Sequence, residues 1–291
     1  SGRFPRAMTP VQDPDDAASA PSPLAAIRAE IDTLDDAMHE WLRRRAAVVA
    51  RMAESQAKAG VSALRPGREA QVLRRLLARH DGRLPARAVV RLWRDIFAAC
   101  TGLQGAFTVA VHALPGGETQ RLAREHFGAL TPLRSQPTPA SALALVASGE
   151  AAAAVLALPR DEEPADAAWW TGLDSPRLQI GARLPFLAPA AADGGAEALV
   201  VMPGAPDASG EDRSLLRIEA RGPEQSRTAL IAALTAAGLP PRGLILRRDP
   251  AGATALVEVE GSVAGGDPRL AALPVERALP LGFYAVPLRR D

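Results

Sequence analysis

Several polar side chains interrupt the apolar helical patterns in the first third of the sequence. Arg45 falls on the same predicted helix face as Trp41 and Val48. Gln56 lies about 20° from Arg45 around a helix that turns roughly 100° per residue. A guanidinium group buried without a partner is costly, so an anionic group is expected to meet it. The polar residues on or beside these apolar stripes are Arg28, Arg45, Gln56, Arg68, Glu69 and Gln104.

The arginines of this set favour an anionic ligand. Taken singly, an arginine at the edge of an apolar stripe more often extends its charged end to water. Several guanidinium groups converging inside one bundle would repel each other unless an anion joined them. Planar guanidinium groups bind carboxylates through paired hydrogen bonds. The pattern therefore predicts a site for a compact dicarboxylate.

Three amphipathic helices must position these side chains. Apolar residues at three- and four-residue steps predict a first helix from Pro23 to about Ala59, ended by Gly60. At about 1.5 Å per residue it would exceed roughly 50 Å. Such a length favours an extended helix packed against a second copy of the chain. The second helix is predicted to start near Pro66 and the third after Pro85, each with a proline at its start.

The rest of the chain alternates between predicted strands and helices. Strands at 107–113 and 152–158, with helices at 118–127 and 139–148, indicate an α/β domain. From residue 215, the order strand, helix, strand, strand, helix, strand predicts a ferredoxin-like α+β domain. The predicted divisions are a disordered leader at 1–22, a helical domain at 23–106, an α/β domain at 107–211 and an α+β domain at 212–291.

Composition argues against several classes of function. The formal net charge of +1 on 291 residues implies no nucleic-acid partner. No apolar run is long enough to span a bilayer. Cys100 is the only cysteine, which excludes an intrachain disulfide and suits a reducing compartment such as the cytoplasm. The four histidines show no metal-ligand spacing. We therefore expect no metal, cofactor, nucleic acid or membrane partner.

Four segments of residues 24–107 together form a specific pattern. They are Ile-Arg-Ala-Glu-Ile-Asp-Thr-Leu-Asp at 27–35, Arg-Arg-Arg at 43–45, Leu-Arg-Pro-Gly-Arg-Glu at 64–69 and Arg-Leu-Trp at 91–93. With these segments, residues 24–107 resemble the all-helical chorismate mutases. The resemblance implies an intertwined homodimer whose long first helices pair. It also implies the rearrangement of chorismate to prephenate, which needs neither nucleophile nor metal. Such catalysis holds a compact conformer and stabilises charge developing on the ether oxygen.

The same resemblance implies a role for each site residue. Arg28 would enter the active site of the partner subunit, and Arg45 and Arg68 would bind the substrate carboxylates. Glu69 would accept the substrate hydroxyl, and Gln104 would donate to the ether oxygen. Cys100 stands where the family has a substrate-binding serine.

Gln56 departs from the family pattern, because it stands where the family has a lysine that faces the ether oxygen. A neutral amide still donates a hydrogen bond there but brings no charge. Losing one such electrostatic donor costs about 3–4 kcal/mol of barrier, or roughly 10²–10³ in rate.

Residues 107–204 resemble a prephenate dehydratase domain, which implies a periplasmic-binding-protein-like α/β fold. The likeness rests on His-Phe-Gly at 126–128, Ser-Ala-Leu at 141–143, Ser-Gly-Glu at 148–150 and Leu-Pro at 158–159. The family's catalytic Thr-Arg-Phe would fall at 196–198, where this chain has Ala-Glu-Ala, so we predict no dehydratase activity. Residues 213–288 resemble an ACT regulatory domain whose phenylalanine-binding motif is replaced by Ser-Arg-Thr-Ala-Leu at 226–230.

Two functions follow from these resemblances. The first is chorismate mutase activity in aromatic amino-acid biosynthesis. The second is a weak or inactive relative that binds an aromatic-pathway ligand or enzyme and acts as a regulator or scaffold. The arginine set favours the first, and Gln56 together with the lost dehydratase motifs favours the second.

Overall fold

A computed structural model describes residues 22–59, 63–189, 195–221, 226–249 and 252–290. Apart from its last residue, the predicted leader at 1–22 lies outside the described residues. The chain divides into two compact units, Ser1–Arg51 and Met52–Asp291. The predicted domain boundaries remain predictions.

Helix α1 (Pro23–Ala59) spans 37 residues, as the apolar spacing predicts. It begins with proline in its first turn, where the missing N–H costs nothing, and the Ser22 hydroxyl accepts a hydrogen bond from the Ala25 amide at 3.3 Å. Its apolar face, here named the α1 stripe, is exposed. The stripe consists of Leu24, Ile27, Ile31, Leu34, Met38, Trp41, Leu42 and Val48, which are 42–66% exposed.

Helices α2 (Pro66–Ala78) and α3 (Ala86–Gly102) begin where the prolines predict and belong to the second unit. Ala70 and Leu73 of α2 pack with Phe97 of α3 around Phe186 and Ala285, which come from later parts of the second unit. These two helices are therefore built into the core of the second unit.

The buried face of α3 differs from the apolar stripe in its sequence. That stripe includes Leu92 and Leu103, which are 49% and 59% exposed. The helix instead buries Val89, Arg94, Phe97, Cys100 and Thr101. The apolar spacing of the sequence does not predict this face, because α3 packs between α2 and a helix of the α/β part, which buries Arg94.

A nine-stranded sheet organises the described part of the second unit, in the order β2-β1-β3-β6-β4-β10-β7-β9-β8. Its strands are β1 (Val109–His112), β2 (Leu133–Gln136), β3 (Ala153–Ala157), β4 (Leu178–Leu184), β6 (Ala198–Pro203), β7 (Asp212–Arg221), β8 (Pro241–Asp249), β9 (Gly252–Glu260) and β10 (Arg277–Ala285). Two short strands, β5 (Leu187–Pro189) and β11 (Leu288–Arg290), pair separately.

The helices that accompany these strands are α4 (Glu118–Phe127), α5 (Pro139–Ala147), α6 (Arg227–Ala236) and α7 (Pro268–Ala271), with a 3₁₀ turn at Trp169–Gly172. Strands β1, β2 and β3 are parallel, as expected for an α/β arrangement. The predicted ferredoxin-like order is confirmed, because β7, α6, β8, β9, α7 and β10 follow one another and the antiparallel strands lie as β10-β7-β9-β8.

One strand pair joins the two halves of the sheet. Strands β4 and β10 run parallel, with Gly282 opposite Ile180. Gly282 has a φ of +121°, and a Cβ atom there would lie 2.3 Å from the carbonyl oxygen of Ile180. Only glycine fits so close an approach. The α/β and ferredoxin-like parts therefore share one continuous sheet.

Candidate functional site

The predicted site residues fall in both compact units. Arg28 is exposed and Arg45 half-buried on the part of α1 that belongs to the first unit. Arg68, Glu69, Cys100 and Gln104 belong to the second unit. The side chain of Gln56 lies outside the described residues.

Glu69 and Arg94 form a buried ion pair between α2 and α3. The Arg94 Nη1 atom donates to Oε2 of Glu69 at 2.6 Å, and the two side chains are 4% and 14% exposed. Burial lowers the pKa of the Arg94 guanidinium, and the neighbouring Glu69 carboxylate opposes that shift. The carboxylate that was predicted to accept a substrate hydroxyl is thus held by an arginine of its own chain.

Arg94 is not among the residues that the sequence pattern indicates, although it follows directly after the Arg-Leu-Trp segment at 91–93. Arg94 lies three positions before Phe97, so the two share a helix face. An arginine at that spacing from a buried aromatic residue is the signal that could have identified it.

Asp207 anchors the start of α2 beside Arg68. Its carboxylate accepts hydrogen bonds from the backbone amides of Gly67 at 3.1 Å and Arg68 at 2.9 Å. These amides have no partner within the helix, and a negative charge is favourable at a helix N-terminus. The Arg68 side chain itself is exposed and donates to Oε1 of Gln71 at 3.3 Å. Arg68 therefore presents its guanidinium at the protein surface.

Gln104 and Cys100 lie at the end of α3. The Gln104 side-chain amide donates to the carbonyl of Cys100 at 3.4 Å. Gln104 also lines a cavity of about 130 Å³ with Leu64, Thr101 and Phe107. Cys100 is buried, so its thiol packs within the helical part of the second unit.

An ion-pair cluster occupies the position predicted for the dehydratase motif. Glu197 accepts hydrogen bonds from Nε and Nη2 of Arg183 at 3.0 and 3.1 Å. The Arg183 Nη1 atom also donates to Glu258 at 2.9 Å and to the Tyr284 hydroxyl at 3.1 Å. Tyr284 donates to Glu258 in turn. The cluster links β4, β9 and β10 across the joined sheet.

The residues predicted from the sequence to replace the phenylalanine-binding motif cap and anchor α6. The Ser226 hydroxyl accepts from the amide of Ala229 at 3.0 Å, as a helix N-cap does. The Arg227 guanidinium donates to the Leu244 carbonyl at 2.8 Å and to Asp161 at 2.9 Å. Both side chains have structural partners at this position.

Neither a metal centre nor a membrane span is found in the described ranges. No three or more histidine, cysteine, aspartate or glutamate side chains among these residues are placed to hold a metal ion. None of the helices in the same ranges combines the length and the hydropathy needed to cross a bilayer.

A family model matches the helical part of the chain. Residues 27–105 match the model described as chorismate mutase type II. This match covers nearly all of α1 and all of α2 and α3, and it ends before the first strand. The predicted resemblance of the helical segment to chorismate mutases is confirmed.

Two curated relatives are each similar to more than a third of the chain. A bifunctional chorismate mutase/prephenate dehydratase from Neisseria gonorrhoeae is 33% identical over 111 residues, which cover 38% of this chain and 30% of that protein. The protein of the same description from Pseudomonas aeruginosa is 36% identical over 110 residues, or 36% of this chain and 30% of that protein. The match therefore spans less than a third of either relative.

Solved structures also resemble part of the chain. A protein described as a novel type of quorum-quenching acylase has a TM-score of 0.46 and 17% identity, and the match covers 62% of this chain and 96% of that chain. A prephenate dehydratase from Arthrobacter aurescens, in complex with L-Phe, has a TM-score of 0.46 and 15% identity, with 61% and 89% covered.

Proposed function

We propose that this protein is a chorismate mutase that rearranges chorismate to prephenate in aromatic amino-acid biosynthesis. The match of residues 27–105 to the chorismate mutase type II model carries the proposal. Its matched segment contains every residue to which the sequence assigns a catalytic role. These residues are Arg28, Arg45, Gln56, Arg68, Glu69 and Gln104.

In this proposal the protein works by binding and orientation. Arg45 and Arg68 bind the two substrate carboxylates, and Gln56 and Gln104 donate hydrogen bonds to the ether oxygen, where negative charge grows in the transition state. Glu69 accepts the substrate hydroxyl. Arg94 contacts Glu69 at 2.6 Å and so acts as a positioning residue for that carboxylate.

The proposal includes a homodimer formed through the α1 stripe. Eight large apolar side chains on one helix face, each 42–66% exposed, form a long apolar surface of the kind that marks interaction sites. A second copy of α1 would bury the stripe by the same self-complementary contact on both subunits. Arg28 of the partner subunit would then complete each active site.

Loss of chorismate absorbance with purified protein tests the activity. We expect turnover by the wild type and losses of about 10²-fold or more in Arg45→Ala and Arg28→Ala, because each removes a charged contact to the transition state. Arg43→Ala is the matched control, since Arg43 is exposed on the same helix and pairs with Glu40. Turnover no faster than the uncatalysed reaction would exclude the mutase.

Mixing two inactive variants tests whether Arg28 acts across the dimer. A heterodimer of Arg28→Ala and Arg45→Ala subunits contains one site with both arginines intact and one with neither. Random subunit exchange should therefore restore about a quarter of wild-type activity. An absence of recovery, with exchange verified by mass spectrometry, would place both arginines in the same subunit's site.

A second candidate is a catalytically weak or inactive relative that binds an aromatic-pathway ligand or enzyme and regulates or scaffolds the pathway. The engagement of Glu69 by Arg94 favours it, as does Gln56 in place of the family's lysine. This alternative predicts that Gln56→Lys raises the mutase rate about tenfold or more, by restoring a charge at the ether oxygen. Wild-type turnover already in the ordinary enzyme range would rule it out.

We also propose that the protein lacks prephenate dehydratase activity and does not respond to phenylalanine. Ala196 and Glu197 stand where the predicted motif has threonine and arginine, and Glu197 is bound by Arg183, so no threonine hydroxyl is present there to protonate a leaving group. Incubation with prephenate should yield phenylpyruvate only at the spontaneous rate. The mutase rate should be unchanged by added L-Phe, and inhibition by L-Phe would contradict the second part.

A further inference from the structure

A cationic cavity of about 250 Å³ lies among α3, α4 and the segment that joins β4 to β5. Three arginines line it at successive turns of α3, namely Arg87, Arg91 and Arg94. His126 of α4 and Phe186 of the joining segment also line it. All five residues belong to the second compact unit.

The positive charge of this cavity is largely uncompensated within the described residues. Neither Arg87 nor Arg91 forms an ion pair there, and the one partner of Arg94 is Glu69. Glu125 also lines the cavity, but its carboxylate pairs with Arg121 at 2.8 Å. Like charges one helical turn apart repel each other. An anion between these guanidinium groups would relieve that repulsion.

His126 supplies a second, independent indication of a ligand. The residue is 8% exposed, and its Nε2 atom has no hydrogen-bond partner in the described part of the chain. Buried polar atoms are normally satisfied, so this nitrogen of a side chain that lines the cavity is left for a ligand that reaches it. Burial, and then the charge of Arg94, lower its pKa well below the ordinary value, which keeps the imidazole neutral. A neutral imidazole can carry its proton on Nε2 and donate it to an anion.

The remaining wall of the cavity is apolar and includes an aromatic ring. The Arg94 guanidinium carbon lies 5.6 Å from the centroid of the Phe186 ring. Val90, Leu122 and Pro185 contribute further apolar surface. Small-molecule sites commonly combine such a wall with a few convergent polar groups. An inorganic anion would leave this wall uncovered.

We propose that this cavity binds a small organic carboxylate with a planar apolar body. The carboxylate would lie between the α3 guanidinium groups and His126, where planar guanidinium groups accept it through paired hydrogen bonds. The apolar body would pack against Phe186. None of the residues that line this cavity has a mutase role predicted from the sequence, although Arg94 contacts Glu69, which has one.

Benzoate is the probe, with the neutral isostere benzamide as its chemical control. Binding to the full-length protein is measured by saturation-transfer NMR at low salt, without any turnover. Wild type should bind benzoate saturably and benzamide about fivefold more weakly or worse. The Arg87→Ala/Arg91→Ala double variant should lose about tenfold or more in benzoate affinity. Both of these arginines are exposed, so their removal should not unfold the chain.

Two further variants separate this site from others. Arg75→Ala removes an exposed arginine that does not line the cavity, and its benzoate affinity should stay within about twofold of wild type. Arg45→Ala should also keep benzoate binding, since Arg45 belongs to the proposed mutase site. A failed mutase assay would leave this measurement intact.

Three results would contradict the proposed site. They are benzoate binding that does not saturate, benzamide binding as strong as benzoate binding, and unchanged benzoate affinity in the Arg87→Ala/Arg91→Ala variant. Loss of binding in Arg45→Ala would assign the benzoate to the mutase site instead. Inorganic phosphate that competes as strongly as benzoate would show a simple anion site and exclude the organic carboxylate.

Discussion

The Nη1 atom of Arg94 donates to Oε2 of Glu69 at 2.6 Å and ties α3 to the first turn of α2. This pair connects the residue with the predicted hydroxyl-binding role to a side chain that lines the carboxylate cavity. Both partners are buried or nearly so, and a charge left alone there has little water to solvate it. We therefore expect the second unit to lose stability when one partner is removed, and to keep most of it when both are replaced by apolar residues.

Arg94→Met should lower the free energy of unfolding by about 3–5 kcal/mol, because the buried Glu69 carboxylate would lose the guanidinium that pairs with it. The double variant Arg94→Met/Glu69→Leu should recover most of that loss, since both charges are replaced by apolar groups. Urea denaturation measures both. Arg91→Met, at an exposed position of the same helix, is the control and should stay within about 0.5 kcal/mol of wild type. If Arg94→Met unfolds at the wild-type urea concentration, the ion pair does not stabilise the fold.

The α1 stripe should determine the oligomeric state. Ile31→Asp places a charge in the middle of the stripe, where Ile31 is 51% exposed in the single chain. We expect wild type to be a dimer by light scattering and Ile31→Asp to be monomeric or strongly weakened, because a buried unpaired carboxylate opposes association. Ala29→Asp adds the same charge about 200° away around the helix and should remain dimeric. A monomeric wild type would contradict the proposed interface.

His126 should make the fold less stable in mild acid. Its pKa is lowered well below the ordinary value of 6.5, first by burial and then by Arg94. As the pH falls below 6.5, the unfolded chain takes up a proton that the folded chain does not, so the free energy of unfolding falls with pH in that window. The charged groups that line the same cavity are Arg87, Arg91, Arg94 and Glu125.

Urea denaturation at a series of pH values, for wild type and His126→Gln, tests this dependence. The variant should show a flatter decline below pH 6.5. Burial also lowers the pKa of His112, against the opposing effect of its hydrogen bond to the backbone carbonyl of Pro137, so some decline should persist. His112→Gln provides the comparison for that remainder. Identical slopes for wild type and His126→Gln would show that His126 titrates normally in the fold.

Tyr284 should ionise only well above the ordinary tyrosine range. Burial raises the pKa of its phenol, the neighbouring Glu258 raises it further, and Arg183 opposes them. The chain has a single tyrosine, so a near-ultraviolet titration reports this group alone. Since the unfolded phenol loses its proton near pH 10.0 and the folded one does not, stability should fall as the pH rises above that value.

Glu258→Gln tests the electrostatic part of that shift. Removing the carboxylate charge should lower the pKa of Tyr284 relative to wild type, while burial still keeps it above 10.0. Glu260→Gln, on the same strand and exposed, should leave the titration unchanged. A wild-type phenol that titrates at its ordinary pKa would mean that the Arg183 cluster is open to water.

The sequence by itself determined the elements whose signals are local. Apolar spacing placed α1 from Pro23 to Ala59, and a proline in the first turn of α2 and another just before α3 marked the starts of these helices. The alternation after residue 215 specified the ferredoxin-like order. The arginine-bearing segments at 27–35, 43–45 and 64–69 were enough to indicate the family whose model matches residues 27–105. These patterns depend only on neighbours within a few turns of chain.

Only the tertiary structure decided which face of α3 is buried and how the halves of the second unit join. Arg94 is buried and Leu92 is exposed because α3 packs between α2 and α4. The apolar periodicity of α3 does not indicate this orientation. Glu69 and Arg94 are 25 positions apart, and Gly282 meets Ile180 across an even longer separation. Such contacts form only when whole helices and strands pack together, and the propensity of a single segment does not determine that packing.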